Sequence, residues 1–167
     1  MEDFNQFNQE KDQLDTLKGK YLTFWINSQL FGVPIGDVVQ IVGMQQITEI
    51  PEFPSYAKGV INLRGSIIPV IDVRLRFKKE EIPYTERTCN IVTNINGHYM
   101  GLIVDAVEEV TTIDDENICP PPRMQGDHVN EYLTGIGKQA DLVILLLDTA
   151  KIINESELIQ MQQEITA

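Results

Sequence analysis

The chain is 167 residues long and 43% apolar, with 13 Lys plus Arg against 25 Asp plus Glu and a formal net charge of -12. That length suits one domain or two small, intimately packed ones, and the apolar share is enough for a packed core. The charge repels nucleic-acid phosphates and anionic membrane surfaces, which excludes both as primary partners and favours basic patches on other proteins.

No basic region followed by an apolar run opens the sequence. No stretch approaches the roughly 20 apolar residues that span a bilayer; Leu142 to Leu147 has only the length of a strand. Cys89 and Cys119 lie far apart and lack metal-ligand spacing. The expectation is therefore a cytoplasmic protein with two reduced, packed thiols, whose membrane association is borrowed from partners.

Residues 1–19 are polar and mixed in charge, and Phe4, Phe7, Leu14 and Leu17 fall roughly on one helical face. They read as a flexible or weakly helical tail. Tyr21 to Ile26 is a strand, Asn27-Ser28 with Gln29 makes a turn, and Leu30 to Pro34 returns as the second arm of a hairpin. Ile35 to Val42 reads as one helical turn running into a strand, since Gly36 argues against a longer helix. Gln45 to Pro54 is a loop, because Pro51 and Pro54 prevent regular structure. Its Phe53, with Tyr56 just beyond, either folds over the core or forms an exposed protein-binding patch.

Gly59 to Val73 holds two apolar runs around the polar elbow Asn62-Leu63-Arg64-Gly65. Ser66 to Val73 is rich in β-branched residues and reads as a strand, with Pro69 pointing to an edge position or a bulge. Arg64, between a turn glycine and two strands, either presents a fixed guanidinium at the surface or pairs with a nearby carboxylate. Arg74-Leu75-Arg76-Phe77 keeps the strand alternation, with both arginines outward. The charged connector from Lys78 to Pro83 marks an internal boundary near 78–87.

Thr88 to Thr93 and His98 to Val104 pair around Asn94-Ile95-Asn96-Gly97, a hairpin signal through Asn-Gly. Val107 to Ile113 makes another strand. Asp114-Asp115-Glu116 reads as a helix start or solvated turn, because its neighbours lack Ca²⁺-loop spacing. Pro120-Pro121-Pro122 enforces an extended connection. Tyr132 to Lys138 and Leu142 to Leu147 form the last hairpin around Gln139-Ala140-Asp141. Asp148 N-caps a closing helix through Ile152, Ile153, Leu158 and Ile159, within a C-terminal helix and tail over 149–167. Many short strands with marked turns and little helix except at the ends mean an all-β sandwich or small barrels, in two halves.

Constellations for catalysis are lacking. Neither His98 nor His128 has a second histidine at helical spacing, which argues against zinc, and Cys89 has no His nearby in sequence. The phosphate-binding and nucleophile-elbow glycine motifs are missing. Glu108-Glu109 and Asp114-Asp115 put adjacent carboxylates on opposite faces of an extended chain, whereas acid–base pairs must face one reacting atom. At 7% aromatic content and this charge, a barrel groove for single-stranded nucleic acid is also disfavoured. The residues point to a binding module with no catalytic, metal or cofactor site. A small acidic ligand-binding barrel or enzyme is the alternative of a different class, and it would need an enclosed cavity with converging polar groups.

The run Gly59-Val60-Ile61-Asn62-Leu63-Arg64-Gly65-Ser66-Ile67-Ile68-Pro69-Val70-Ile71-Asp72-Val73 resembles the signature of the CheW family of bacterial chemotaxis coupling proteins. Phe31-Gly32-Val33 with Val38-Val39-Gln40-Ile41, then Gly101-Leu102-Ile103-Val104-Asp105, then Tyr132-Leu133-Thr134-Gly135-Ile136-Gly137 and Ile144 to Asp148 are similar to the same family in order, over residues 20–154. The resemblance implies two small five-stranded SH3-like or OB-like β-barrels sharing a central hydrophobic core, with short terminal helices. It implies a non-enzymatic adaptor bridging chemoreceptor tips to the histidine kinase CheA, cytoplasmic and recruited to receptor arrays, monomeric in isolation and without cofactor. Carried over by position, Arg64, Val38 and Gln40 fall where the family contacts the receptor, and Ile35, Val39 and Ile41 would line the groove between the barrels. Many members have glutamate where Gln40 stands, which puts an ion pair there in doubt. For the kinase face, the expectation is the loop with Phe53, Tyr56 and Ala57. A coupler serving another chemosensory pathway would share this mechanism with different partners.

Overall fold

The computed structural model describes residues 17–121, 128–153 and 155–166. The tail expected over 1–19 therefore lies almost entirely outside the described residues, as do Pro122 and the side chain of His128. In chain order the strands are β1 (Lys20–Ile26), β2 (Gln29–Pro34), β3 (Val38–Gly43), β4 (Ala57–Leu63), β5 (Ser66–Asp72), β6 (Cys89–Ile95), β7 (His98–Val104), β8 (Ala106–Thr112), β9 (Ile118–Cys119), β10 (Leu133–Gln139) and β11 (Leu142–Leu147). The short helices are α1 (Val73–Arg76), α2 (Thr149–Ile152) and α3 (Glu155–Thr166), with single 3-10 turns at Ile35–Asp37, Asp115–Asn117 and His128–Tyr132.

Local turn chemistry makes the hairpins. Asn27 and Ser28, Arg64 and Gly65, and Asn96 and Gly97 all have positive φ, the requirement of a two-residue turn matched to strand twist. The turns at Arg64 and Asn96 are built alike. Asn62 Oδ1 accepts from the Gly65 amide and Asn94 Oδ1 from the Gly97 amide, both at 2.9 Å. The first turn is tighter than expected, since Gln29 already pairs with Ile26 in the ladder.

The strands form two sheets, ordered β8-β1-β2-β11-β10-β9 and β3-β6-β7-β5-β4. One has six strands rather than the expected five; the sixth is the two-residue β9. Each sheet wraps a small aliphatic core. Ile61, Ile68, Val70, Val92 and Ile103 fill the five-stranded unit, and Leu30, Ile113, Ile144 and Leu146 fill the six-stranded one. The opposite faces meet in a larger shared core, where Leu22, Phe24, Phe31 and Val33 face Ile71, Ile91, Met100 and Leu102. Strand alternation explains this: residues 91 and 92 point to opposite faces, one into the shared core and one into the barrel. The all-β architecture with a shared centre is the one expected.

The five-stranded sheet closes on itself where Thr48, beyond β3, forms a bridge to Val60 of β4, with both N–H···O distances 2.9 Å. Gly59 permits this approach, because a Cβ there would lie 2.1 Å from the Thr48 carbonyl oxygen.

Several expectations need correction. The connector after Lys78 does not divide the two units, because β5 before it and β6 after it belong to the same sheet. The chain instead crosses between sheets at Ile35–Asp37 and again between Val104 and Ala106. Pro69 is on neither an edge strand nor a bulge, since β5 lies between β7 and β4 and the register shift falls at Lys58. Pro69 is tolerated because its partner Val60 turns both backbone groups to Thr48, and the β7 ladder begins only at Val70. Val73–Arg76 is a helical turn rather than strand, capped by Asp72 Oδ1 accepting from the Arg74 amide. The C-terminal helix is two helices. Asp148 caps α2, and Ile153 then leaves helical conformation (φ -133°, ψ 134°). Cys89 is half-buried, its thiol pushed up by burial, but Cys119 is exposed rather than packed.

Candidate docking surfaces

Arg64 occupies the tip of the β4–β5 hairpin, exposed, at φ 52°. Left-handed backbone is unfavourable for a residue with a Cβ, and glycine or asparagine would be cheaper there. Among the described residues no carboxylate pairs with it, so the ion-pair reading of Arg64 fails. The guanidinium has no ion-pair partner among the described residues, on a turn fixed by the Asn62–Gly65 hydrogen bond.

Register relates this tip to β3. β5 runs parallel to β7 with Val70 opposite Gly101, and β3 runs antiparallel to β6 with Val38 opposite Thr93. Counting back along these ladders brings the Arg64-Gly65 turn, the Asn96-Gly97 turn and the N-terminal end of β3 to one end of the sheet. Along β3, Val39 and Ile41 are 49% and 45% exposed, an unusual exposure for aliphatics on a strand. Ile41 pairs with Ile91 and so faces the shared-core side, left open because β3 is an edge. Ile35 and Val38 pack on the rim of that core, and Gln40 is half-buried opposite Val92, on the barrel side. The six residues thus do not form one face. Ile35, Val38 and Ile41 edge the space between the two sheets, Arg64 crowns the same end, and Gln40 points the other way.

The loop before β4 folds over the core. Tyr56 is buried, its hydroxyl donating to Glu157 of α3, while Phe53 and Ala57 are half-buried against the same core. Tyr56 is therefore not available as an exposed anchor, which corrects that part of the patch. Phe53 and Ala57 line an open cleft of about 370 Å³ with Pro51, Lys58, Leu75 and Glu81, where Lys58 pairs with Glu81.

Sequence reasoning missed both arginines of α1. Arg76 lies between the rings of Tyr56 and Tyr132, 4.3 and 5.1 Å from their centroids, and its Nε donates to the Ile152 carbonyl at the end of α2. Arg74 makes a two-pronged pair with Asp105, Nε to Oδ1 at 2.8 Å and Nη2 to Oδ2 at 2.7 Å, and the Asn27 amide donates to the same carboxylate. Burial works to raise the Asp105 carboxyl, but the hydrogen bonds from Arg74 and Asn27 with the guanidinium charge outweigh it and hold it below the ordinary range. Helix formation turned these side chains inward. The one legible signal was Asp72, a capping residue two positions before Arg74.

A cleft of about 640 Å³ lies between β1–β8 and the charged connector. Its carboxylates are engaged, Asp105 with Arg74 and Glu108 with the Trp25 indole at 2.8 Å. Among the described residues no three His, Cys, Asp or Glu side chains converge as a metal site, and no helix is long and apolar enough to cross a membrane.

Two filled barrels, a common core and rigid exposed edges define a docking scaffold. A family model for the CheW-like domain matches residues 20–157, and α3 continues past it to Thr166. The chemotaxis protein CheW of Klebsiella aerogenes is 35% identical over 144 residues, 86% of this chain and 87% of that one. Protein FrzA of Myxococcus xanthus is 30% identical over 141 residues, 79% of this chain and 87% of that one. The crystal structure of the scaffolding protein TtCheW from Thermoanaerobacter tengcongensis is 38% identical and superposes with a TM-score of 0.77, covering 84% of this chain and 97% of that one. The chain belongs to the CheW-like family, a family of chemotaxis scaffolds rather than enzymes, and the adaptor class that the resemblance implied stands.

Proposed function

We propose that the protein couples the cytoplasmic tips of chemoreceptors to the histidine kinase CheA, without chemistry of its own. The observation that carries the receptor half is Arg64, a cation without an ion-pair partner among the described residues, held at an unfavourable φ at the same end of the sheet as the start of β3, the edge strand with exposed aliphatics. Retaining such a residue at the cost of backbone strain fits selection for contact rather than for folding. A receptor helix would lay its apolar face along Ile35, Val38 and Ile41, with Val39 at the margin, while Arg64 binds a carboxylate or helix-terminal carbonyl. Gln40, neutral and turned away, contributes no ion pair. The kinase half rests on the cleft beside Phe53 and Ala57, whose lining mixes apolar side chains such as Ile50 and Leu75 with the charged Glu49, Lys58 and Glu81, a composition that suits a protein interface. The protein works in the cytoplasm and reaches receptor arrays through these partners, with multivalency in the array supplementing moderate affinity at each face.

The test is reconstitution of the full chain with a receptor cytoplasmic fragment and CheA. The expected result is a ternary complex that Arg64→Ala breaks on the receptor side alone. Unchanged receptor capture by a well-folded Arg64→Ala chain would overturn the receptor face. Co-purification from the host identifies the captured kinase and so separates this reading from a coupler of another chemosensory pathway.

A further inference from the structure

β2 and β11 are parallel neighbours, with Phe31 opposite Leu145 and Gly32 opposite Leu146, so both leave the six-stranded sheet at the same end. β2 leaves through the turn Ile35–Asp37, which crosses to the other sheet and opens β3. β11 leaves through Asp148 into α2. A hydrogen bond ties the two exits: Thr149 Oγ1 donates to Asp37 Oδ2 at 2.9 Å, between residues 112 positions apart. The turn has little else to hold it. Pro34 brings neither an N–H nor a side-chain cap, and the Val38 amide closes the turn on the Ile35 carbonyl. A Cβ at Gly36 would meet no described atom within 4 Å. Ile35 rests on the rim of the shared core, so Asp37 supplies the turn's other anchor.

β3 takes its register from this turn. Val38 and Ile41 look toward the shared core and Val42 into the barrel, so both faces of the strand are apolar. Burial alone then accepts a slip of one residue, which would turn every side chain to the opposite face. The ladder is irregular at this point. Pairing steps from Val38 opposite Thr93 to Gln40 opposite Val92, which leaves Val39 bulged out and 49% exposed. The point of entry therefore decides which side chains β3 presents, and Asp37 is the residue before Val38. We propose that Thr149 is a positioning residue for the receptor face: by holding Asp37 it fixes the crossover and with it the register of β3. This rests on the receptor face proposed above. Thr149 is 4% exposed and touches no partner itself, so its effect on binding passes through Asp37. Neither residue lines the cleft assigned to the kinase, which confines the effect to the receptor side.

Thr149→Val keeps the side chain's shape and removes the donor, whereas Thr149→Ser keeps the donor. In the full chain, Thr149→Val should weaken binding to a receptor cytoplasmic fragment by about 3- to 30-fold, the span that coupling through an intermediate residue covers. Affinity for the CheA regulatory domain should stay within about twofold, and Thr149→Ser should keep both affinities. Hydrogen exchange should speed at the β3 amides that bond to β6, with β5 and β7 still protected. A second arm does not depend on the folding of Thr149→Val. Asp37→Ala should reproduce the receptor loss, and Asp37→Asn, which keeps an acceptor oxygen, should not. Combined, Asp37→Ala and Thr149→Val should bind receptor no more weakly than either alone, because both remove the same bond. A further loss in the combined variant would mean that Asp37 meets the receptor directly and would overturn the proposal. Unchanged receptor binding, or an equal loss toward the kinase, would overturn it too. Arg64→Ala separates the two readings. If it also leaves receptor binding intact, the receptor face itself fails; if it weakens binding and the Thr149 and Asp37 variants do not, only the positioning role fails.

Discussion

Arg64 and Asn96 stand at equivalent positions of two hairpins with the same construction, Asn-x-x-Gly with the first amide side chain capping the glycine, and both have φ 52°. Arg64→Asn therefore converts one turn into a copy of the other. Asparagine visits left-handed backbone readily, whereas an ordinary residue there loses roughly 1–2 kcal/mol, so the variant should hold or gain up to about 1 kcal/mol of stability. No described side chain loses an ion-pair partner, because Arg64 has none. Binding should move the other way. Losing one charge-assisted contact costs about 1–3 kcal/mol, which corresponds to receptor affinity weaker by roughly 5- to 150-fold. Urea unfolding measures the first quantity and calorimetric titration with a receptor cytoplasmic fragment the second. A fall in stability beyond about 1 kcal/mol would show the guanidinium to be holding the fold. Receptor affinity within twofold of the native chain would remove Arg64 from the interface. Either result refutes the reasoning, since it requires the two effects to have opposite directions.

Gly59→Ala should destabilise by about 3–5 kcal/mol in urea unfolding: the added Cβ would sit 2.1 Å from the Thr48 carbonyl, straining the residue and breaking the two-bond bridge that closes the barrel. A loss under about 1 kcal/mol would mean that the bridge is not part of the closure. Arg74→Ala should cost about 1–3 kcal/mol at neutral pH, less than a fully buried pair because the two side chains keep 11% and 23% exposure. Asp105 has its carboxyl depressed in the fold, so its contribution is present above the unfolded carboxylate pKa and lost as pH falls through the folded one. The difference between native and Arg74→Ala chains in thermal melts should accordingly shrink on acidification below about pH 4; a gap that widens there would contradict the assignment.

Short-range chemistry was legible in the residues alone. Asn96-Gly97 announces a hairpin because a two-residue turn demands φ > 0, which asparagine and glycine accept, and Asn27-Ser28 and the elbow ending at Gly65 read as turns for the related reason that polar residues and glycine break strands. The ordered family motifs pointed to the adaptor class and to two barrels about one core. What the residues could not reveal was which hairpin joins which sheet. β2 pairs in parallel with β11, and β5 with β7, across long stretches of chain, and such pairings are decided by the burial of whole faces rather than by neighbours. The same cause reversed the reading of Arg74 and Arg76 and decided between the two readings of Tyr56, folded over the core rather than an exposed anchor. Their surroundings are Asp105, Tyr132, Ile152 and Glu157, which only the assembled core brings within reach. Arg64 escaped that reversal because a hairpin tip is made by its own neighbours, and distant packing had nothing to add.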